Sequence, residues 1–190
     1  MRRLILSCFS LLIASAVIAR PVSDTTTLDG DESFVLVKLS SDSHARFATL
    51  SLVRWEDERI STSLAEYYSL PTNGEYVLIK QSLAGTFYPY NINDSKRDAQ
   101  GRKMVFGKTL KGSLVEGEQA QYRYTLTEGK INYIGDITVE PGESGQHQLT
   151  IQNQIEAATR FVQTHYPSLF EHYVITDALM TINSDSETSD

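Results

Sequence analysis

From Phe34 to about Gln152 the apolar residues recur mostly at every second position, and from Asn153 they recur at helical spacing. The first period is that of strands buried on one face, and the second that of an amphipathic helix. Strands are predicted at Phe34 to Leu39, Arg46 to Trp55, Glu75 to Gln81, Thr86 to Tyr90, Lys103 to Lys108 and Gln146 to Gln152. In Arg46 to Trp55, Phe47 and Val53 share Trp55's face. Phe34-Val35-Leu36-Val37 is instead a short continuous apolar run, which suits a central strand covered on both sides.

The clearest pair is Gln121 to Thr127 and Lys130 to Val139, with Glu128-Gly129 between them. Tyr122, Tyr124 and Leu126 share one face of the first; Ile131, Tyr133, Ile137 and Val139 share one face of the second, with Gly135 in the same row. A glycine between two alternating segments predicts a hairpin, so Gly129 reads as the turn residue. Gly135 reads as a bulge or a place of close approach. Further turns are expected at Pro71-Thr72-Asn73-Gly74, Asn93-Asp94-Ser95 and Glu140-Pro141-Gly142.

After Asn153, the residues Ile155, Ala158, Val162 and Tyr166 fall on one helical face, and Asn153 with Glu156 has the layout of a capping box. This predicts a helix over about 154–165, stopped by Pro167, with a further helical turn and a short extended segment over 168–175. The expected fold is mainly β: an antiparallel β-sandwich with one C-terminal amphipathic helix. A single β-rich domain is expected over 33–182, preceded by a flexible lead-in at 20–32 and followed by a disordered acidic tail at 183–190.

The start of the chain changes the picture. Met1-Arg2-Arg3, an apolar stretch from Leu4 to about Ile13, and small residues at Ala14, Ser15, Ala16 and Ala19 make the three-part layout of a secretory signal peptide. Residues 1–19 are read as that signal, with cleavage after Ala19 or, alternatively, at Ala14-Ser15-Ala16. A lipid-modified Cys8 and a twin-arginine route through Arg2-Arg3 are the weaker readings. No stretch approaches the about 20 residues that a bilayer span needs, so stable membrane insertion is not expected. Cys8 is the only cysteine and leaves with the signal, so packing alone must hold the exported domain. Of 24 acidic and 17 basic residues, two or three basic ones also leave, putting the mature charge near −9 to −10. That sign argues against nucleic acid and anionic membranes as partners.

Motifs for chemistry are sparse. His44, His147, His165 and His172 form no HxxxH or HExxH pair, and no zinc spacing exists, so neither a metal nor a cofactor is expected. His165 is read as a cation at a helix end, and Glu171 beside His172 as a solvated pair. Gly142-Glu143-Ser144-Gly145 is no nucleophile elbow. Asn91, Asn93, Asp94, Ser95 and Asp98 crowd oxygens into one expected loop without the calcium-loop pattern. No catalytic residue is named. The remaining candidates are aromatic: Tyr88 and Tyr90, with Tyr67 and Tyr68, as a platform for a glycan or peptide. Alternation through Phe87-Tyr88-Pro89-Tyr90 predicts Phe87 inside and Tyr88 and Tyr90 exposed.

The 14 residues from Tyr124 to Ile137, Tyr-Thr-Leu-Thr-Glu-Gly-Lys-Ile-Asn-Tyr-Ile-Gly-Asp-Ile, resemble a hairpin of uncharacterised bacterial exported proteins. There it belongs to a small sandwich like those of transthyretin or carboxypeptidase regulatory domains. The resemblance implies a bacterial periplasmic or surface protein without known catalytic residues, and it transfers no site. The expected function is that of an exported, periplasmic or secreted, non-enzymatic binding or accessory module for a protein or glycan ligand. The alternatives are a carbohydrate-active or other hydrolytic enzyme using acidic residues, and a small β-barrel carrying an apolar ligand.

Overall fold

The computed structural model describes residues 22–41, 47–56, 59–97, 103–109, 122–141 and 147–182. The expected signal at residues 1–19, His44, Asp98, the expected turn beyond Pro141, and residues 183–190 lie outside them. The elements in chain order are β1 (Ser33–Ser41), β2 (Phe47–Glu56), β3 (Arg59–Pro71), β4 (Asn73–Gln81), β5 (Gly85–Arg97), β6 (Lys103–Thr109), β7 (Tyr122–Leu126), β8 (Ile131–Pro141), β9 (His147–Gln152), α1 (Ile155–His165), α2 (Pro167–His172), β10 (Ile175–Asp177) and β11 (Thr181–Ile182). The protein is mainly β, with two helices and open sheets.

One sheet runs β10-β8-β1-β4, with β9 also on β8; the other runs β11-β7-β5-β2-β3, with β6 on β5. Among the described residues neither closes on itself into a barrel. Alternation along β1 explains the packing. Val35, Val37 and Leu39 join a buried cluster that also takes Leu50 and Leu52 from β2, Tyr68 and Leu70 from β3, Phe87 and Ile92 from β5 and Tyr122, Tyr124 and Leu126 from β7. Phe34 and Leu36 point the other way, into a second cluster with Leu78, Ile131, Tyr133, Ala158, Val162 and Leu169. The first sheet is thus covered on both faces, as the unbroken run Phe34 to Val37 implied.

Several expectations need correction. Pairing is not wholly antiparallel: β8 and β10 run parallel, and β8 runs parallel to β1, because the chain returns to the first sheet after passing through the second. Strands β7 and β8 do not pair. They belong to different sheets, and the Glu128-Gly129 turn is an arch between them. The buried side chain of Asn132 holds this arch, accepting from Thr127 N–H at 2.9 Å and donating to Thr127 C=O at 2.9 Å. Gly129, at φ +64°, gives its N–H to Glu32 C=O. A glycine turn between alternating strands signals a reversal, but not whether the strands then bond to each other or face each other across a core.

The row Ile131, Tyr133, Gly135, Ile137 and Val139 is also split. A register shift between Leu36 and Val37 leaves β8 with one extra residue, so Ile131 and Tyr133 face the helices while Ile134, Ile137 and Val139 face the other sheet. Gly135, at φ +120°, sits at that bulge. Finally, Asn93-Asp94-Ser95 is no turn but the middle of β5, paired with Ala48 and Thr49 on one side and with Val105 to Gly107 on the other. Ladder partners on both flanks override the local turn preference.

α1 begins where expected but without a capping box: Asn153 Oδ1 accepts from Ile155 N–H at 3.1 Å, and Gln154 N–H goes to the Tyr133 hydroxyl. α1 ends at His165, just before Tyr166-Pro167 as expected, and Pro167 then opens a second helix, α2, at a position where its missing N–H costs nothing. Residues 22–32, expected as a flexible lead-in, are docked. Val22 and Leu28 pack on the helix-side cluster, Lys80 pairs with Glu32 at 2.6 Å, and Asp31 C=O accepts from Ala84 N–H.

Candidate functional site

The expected tyrosine platform is only partly placed. Tyr68 is 2% exposed, and its hydroxyl donates to Gln81 Oε1 at 2.7 Å, which makes it a core residue. Tyr88 is 8% exposed rather than displayed, while Phe87 is buried as expected. Alternation reports which face a residue takes, not whether that face is covered, and at β5 both are. Tyr67 takes a register position opposite Ser51, and the shift between Ser51 and Leu52 makes Tyr90 the extra residue of β5. The side chains of Tyr67 and Tyr90 are not among those described.

Two constellations missed by sequence reasoning bring polar groups together. The first lies on the helix side of the first sheet. Register sets Lys38 beside both Tyr76 and Asp136, and the β8 bulge turns Tyr133 and Asp136, three positions apart, to one face. Asp136, 7% exposed, receives Lys38 Nζ at 2.6 Å, the Tyr133 hydroxyl at 2.8 Å and the Tyr76 hydroxyl at 3.3 Å. The Lys38 ammonium lies 5.3 Å from the centre of the Tyr76 ring, and Phe161 of α1 packs on that ring at 5.5 Å. Burial pushes the phenols of Tyr76 and Tyr133 well above the ordinary tyrosine range, and donation to the charged Asp136 raises them further. Gln154 N–H opposes this at Tyr133, and Arg160 at Tyr76. Both phenols therefore remain donors, and the Asp136 carboxylate is engaged by three donors in all. The cluster ties β1, β4 and β8 to the start of α1.

The second constellation is a cleft of about 260 Å³ lined by Asp24, Thr25, Thr26, Thr27, Ser168, Leu169, His172 and Tyr173. Asp24 Oδ1 accepts from Ser168 N–H at 2.8 Å and Leu169 N–H at 3.2 Å, and Oδ2 from the Ser168 hydroxyl at 2.7 Å. The Ser168 hydroxyl holds the Asp24 carboxyl below the usual range; burial opposes it, and the two backbone N–H groups add to it. His172 Nδ1 lies 2.7 Å from Ser168 C=O. A carbonyl only accepts, so Nδ1 carries a hydrogen and donates it to Ser168 C=O. Asp24, Ser168 and His172 thus meet in one cleft, but not as a nucleophile relay: the serine gives its proton to the carboxylate and the histidine to a carbonyl. No spacing could have announced this meeting, since Asp24 and Ser168 are 144 positions apart.

Among the described residues no group of three or more His, Cys, Asp or Glu side chains is placed to hold a metal ion, and no helix is long and apolar enough to cross a membrane. No family model, curated protein or solved structure matches the chain.

Proposed function

We propose that the protein is an exported, periplasmic or secreted, non-enzymatic binding or accessory module, built as a sandwich of the two sheets. The cleft between Asp24–Thr27 and α2 is its ligand seat. The sandwich reading is supported by a single buried cluster fed from both sheets. The export reading is supported by the leader-like layout of residues 1–19.

The observation that carries the binding reading is the chemistry around the cleft. It has space for a small group, yet the Asp24 carboxylate beside it already accepts three hydrogen bonds, as does Asp136 in the other constellation. Such a site can hold a ligand but has no free carboxylate for general-base work. Its volume falls just under the roughly 300 Å³ at which whole-ligand pockets begin, so it suits a single sugar unit or one side chain of a peptide. Thr25, Thr26 and Thr27 offer hydroxyls, and Tyr173 and His172 offer ring surface.

A glycan array and a peptide library, probed with native protein and with His172→Ala, test this. His172 is exposed, so its loss should shift stability by less than about 0.5 kcal/mol. Any ligand retained by the native protein should bind the variant about tenfold more weakly or worse. Equal retention by both proteins would remove the cleft from consideration.

A further inference from the structure

We infer that residues 22–28 form a strap fastened to α2 by the Asp24 carboxylate and released when that carboxylate is protonated, which assembles and opens the cleft. The inference rests on the cleft being the ligand seat, since it assigns that seat its regulation. The strap forms one wall of the cleft and α2 the other, so the space exists only while the two are joined.

The join is small. Ser23 and Thr26 close a turn on themselves, Thr26 N–H to Ser23 C=O at 3.0 Å and Ser23 N–H to Thr26 Oγ1 at 2.9 Å, and the turn presents Asp24. Beyond the three bonds from Asp24, the strap is held by Leu28 N–H on the Tyr173 hydroxyl at 3.1 Å, Lys80 Nζ on Thr27 C=O at 2.8 Å, and the half-buried Val22 and Leu28. A charged carboxylate only accepts, which matches three donors. A protonated one loses the charge that strengthens the two backbone N–H bonds at Oδ1, and its O–H at Oδ2 meets the Ser168 hydroxyl, which must turn from donor to acceptor. The ionisable side chains about it are few: from α2, His172 lines the same cleft, and from β4, Lys80 lies on Thr27 C=O and Glu32. Asp24 is the only ionisable residue between Val22 and Leu28.

Because the folded carboxyl is held below its unfolded value of about 3.9, the fastening is complete above that pH and is lost as pH falls through the lower folded value. Hydrogen exchange by mass spectrometry on the purified protein, corrected for intrinsic rates, measures this at pH 7 and pH 3. Residues 22–28 and the first turn of α2 should exchange about tenfold faster at pH 3, while β1 and β8 keep their protection. Asp24→Ala should exchange fast in these segments at both pH values. Asp24→Asn, which retains an acceptor but cannot titrate, should show no step between them. Strap protection in Asp24→Ala equal to the native protein, or loosening of β1 and β8 together with the strap, would overturn the inference. No ligand enters the measurement, so its outcome is independent of the binding test.

Discussion

Gly135→Val is expected to lower the unfolding free energy by roughly 3 to 5 kcal/mol, the largest effect of any single change considered. Two causes add. Its φ of +120° lies where a β-branched residue is strained. A Cβ there would also come within 2.7 Å of Ile151 Cγ2 and 3.1 Å of Leu179 Cδ1, in a region packed from β9 and from the segment before β11. Gly129 isolates the first cause. Its φ is +64°, but a Cβ would meet nothing within 4 Å, so Gly129→Val should cost roughly 1 to 3 kcal/mol. Urea midpoints of the two variants against the native protein measure the difference. Equal losses would mean that the bulge is not tightly packed.

Asp136→Ala is expected to cost about 2 to 4 kcal/mol, because it removes the shared acceptor of Lys38, Tyr76 and Tyr133 from a nearly buried position. The figure is below that for a fully enclosed pair because Lys38, 30% exposed, keeps access to water. Replacing both charges, Lys38→Met with Asp136→Leu, should recover most of the loss, since no charge is then left unpaired. Chemical denaturation of the single and double variants tests this. A double variant as weak as Asp136→Ala would show that the pair itself, rather than the orphaned charge, supplies the stability.

The pattern of elements was largely legible in the sequence. Eight strands and the first helix were legible because their inward rows, such as Tyr122-Tyr124-Leu126, carry the period of their element. Gly129 and Gly135 were legible as backbone exceptions, and both have positive φ. Pairing partners were not legible: an arch and a hairpin share the same local code, so β7 and β8 read as neighbours although they belong to different sheets. β3 went unread because Ser61-Thr62-Ser63 in its first half breaks the apolar alternation, although it pairs with β2, the strand just before it in the chain.

The candidate site was less legible than the fold. Tyr88 lies on the opposite face from Phe87, yet it is buried, because cover over the outer face leaves no trace in the strand's own pattern. Asp24 sits among Ser, Thr and Gly residues that read as loop, and its partners are the first residues of a six-residue helix at the other end of the chain. Nothing in the local pattern singles out Lys38 or Asp136; only the parallel register of β1 and β8 brings them together.

The central claim is that the cleft holds a ligand without transforming it. Chemical-shift mapping on ¹⁵N-labelled protein, titrated with the glycan or peptide retained in the array, tests that most directly. The account predicts that the largest shifts fall on Thr25, Thr26, Thr27, Leu169, His172 and Tyr173, and that the ligand's own spectrum returns unchanged after displacement. Shifts centred instead on β2, β3 and β5 around Tyr67, Tyr88 and Tyr90, or the appearance of a product, would contradict it.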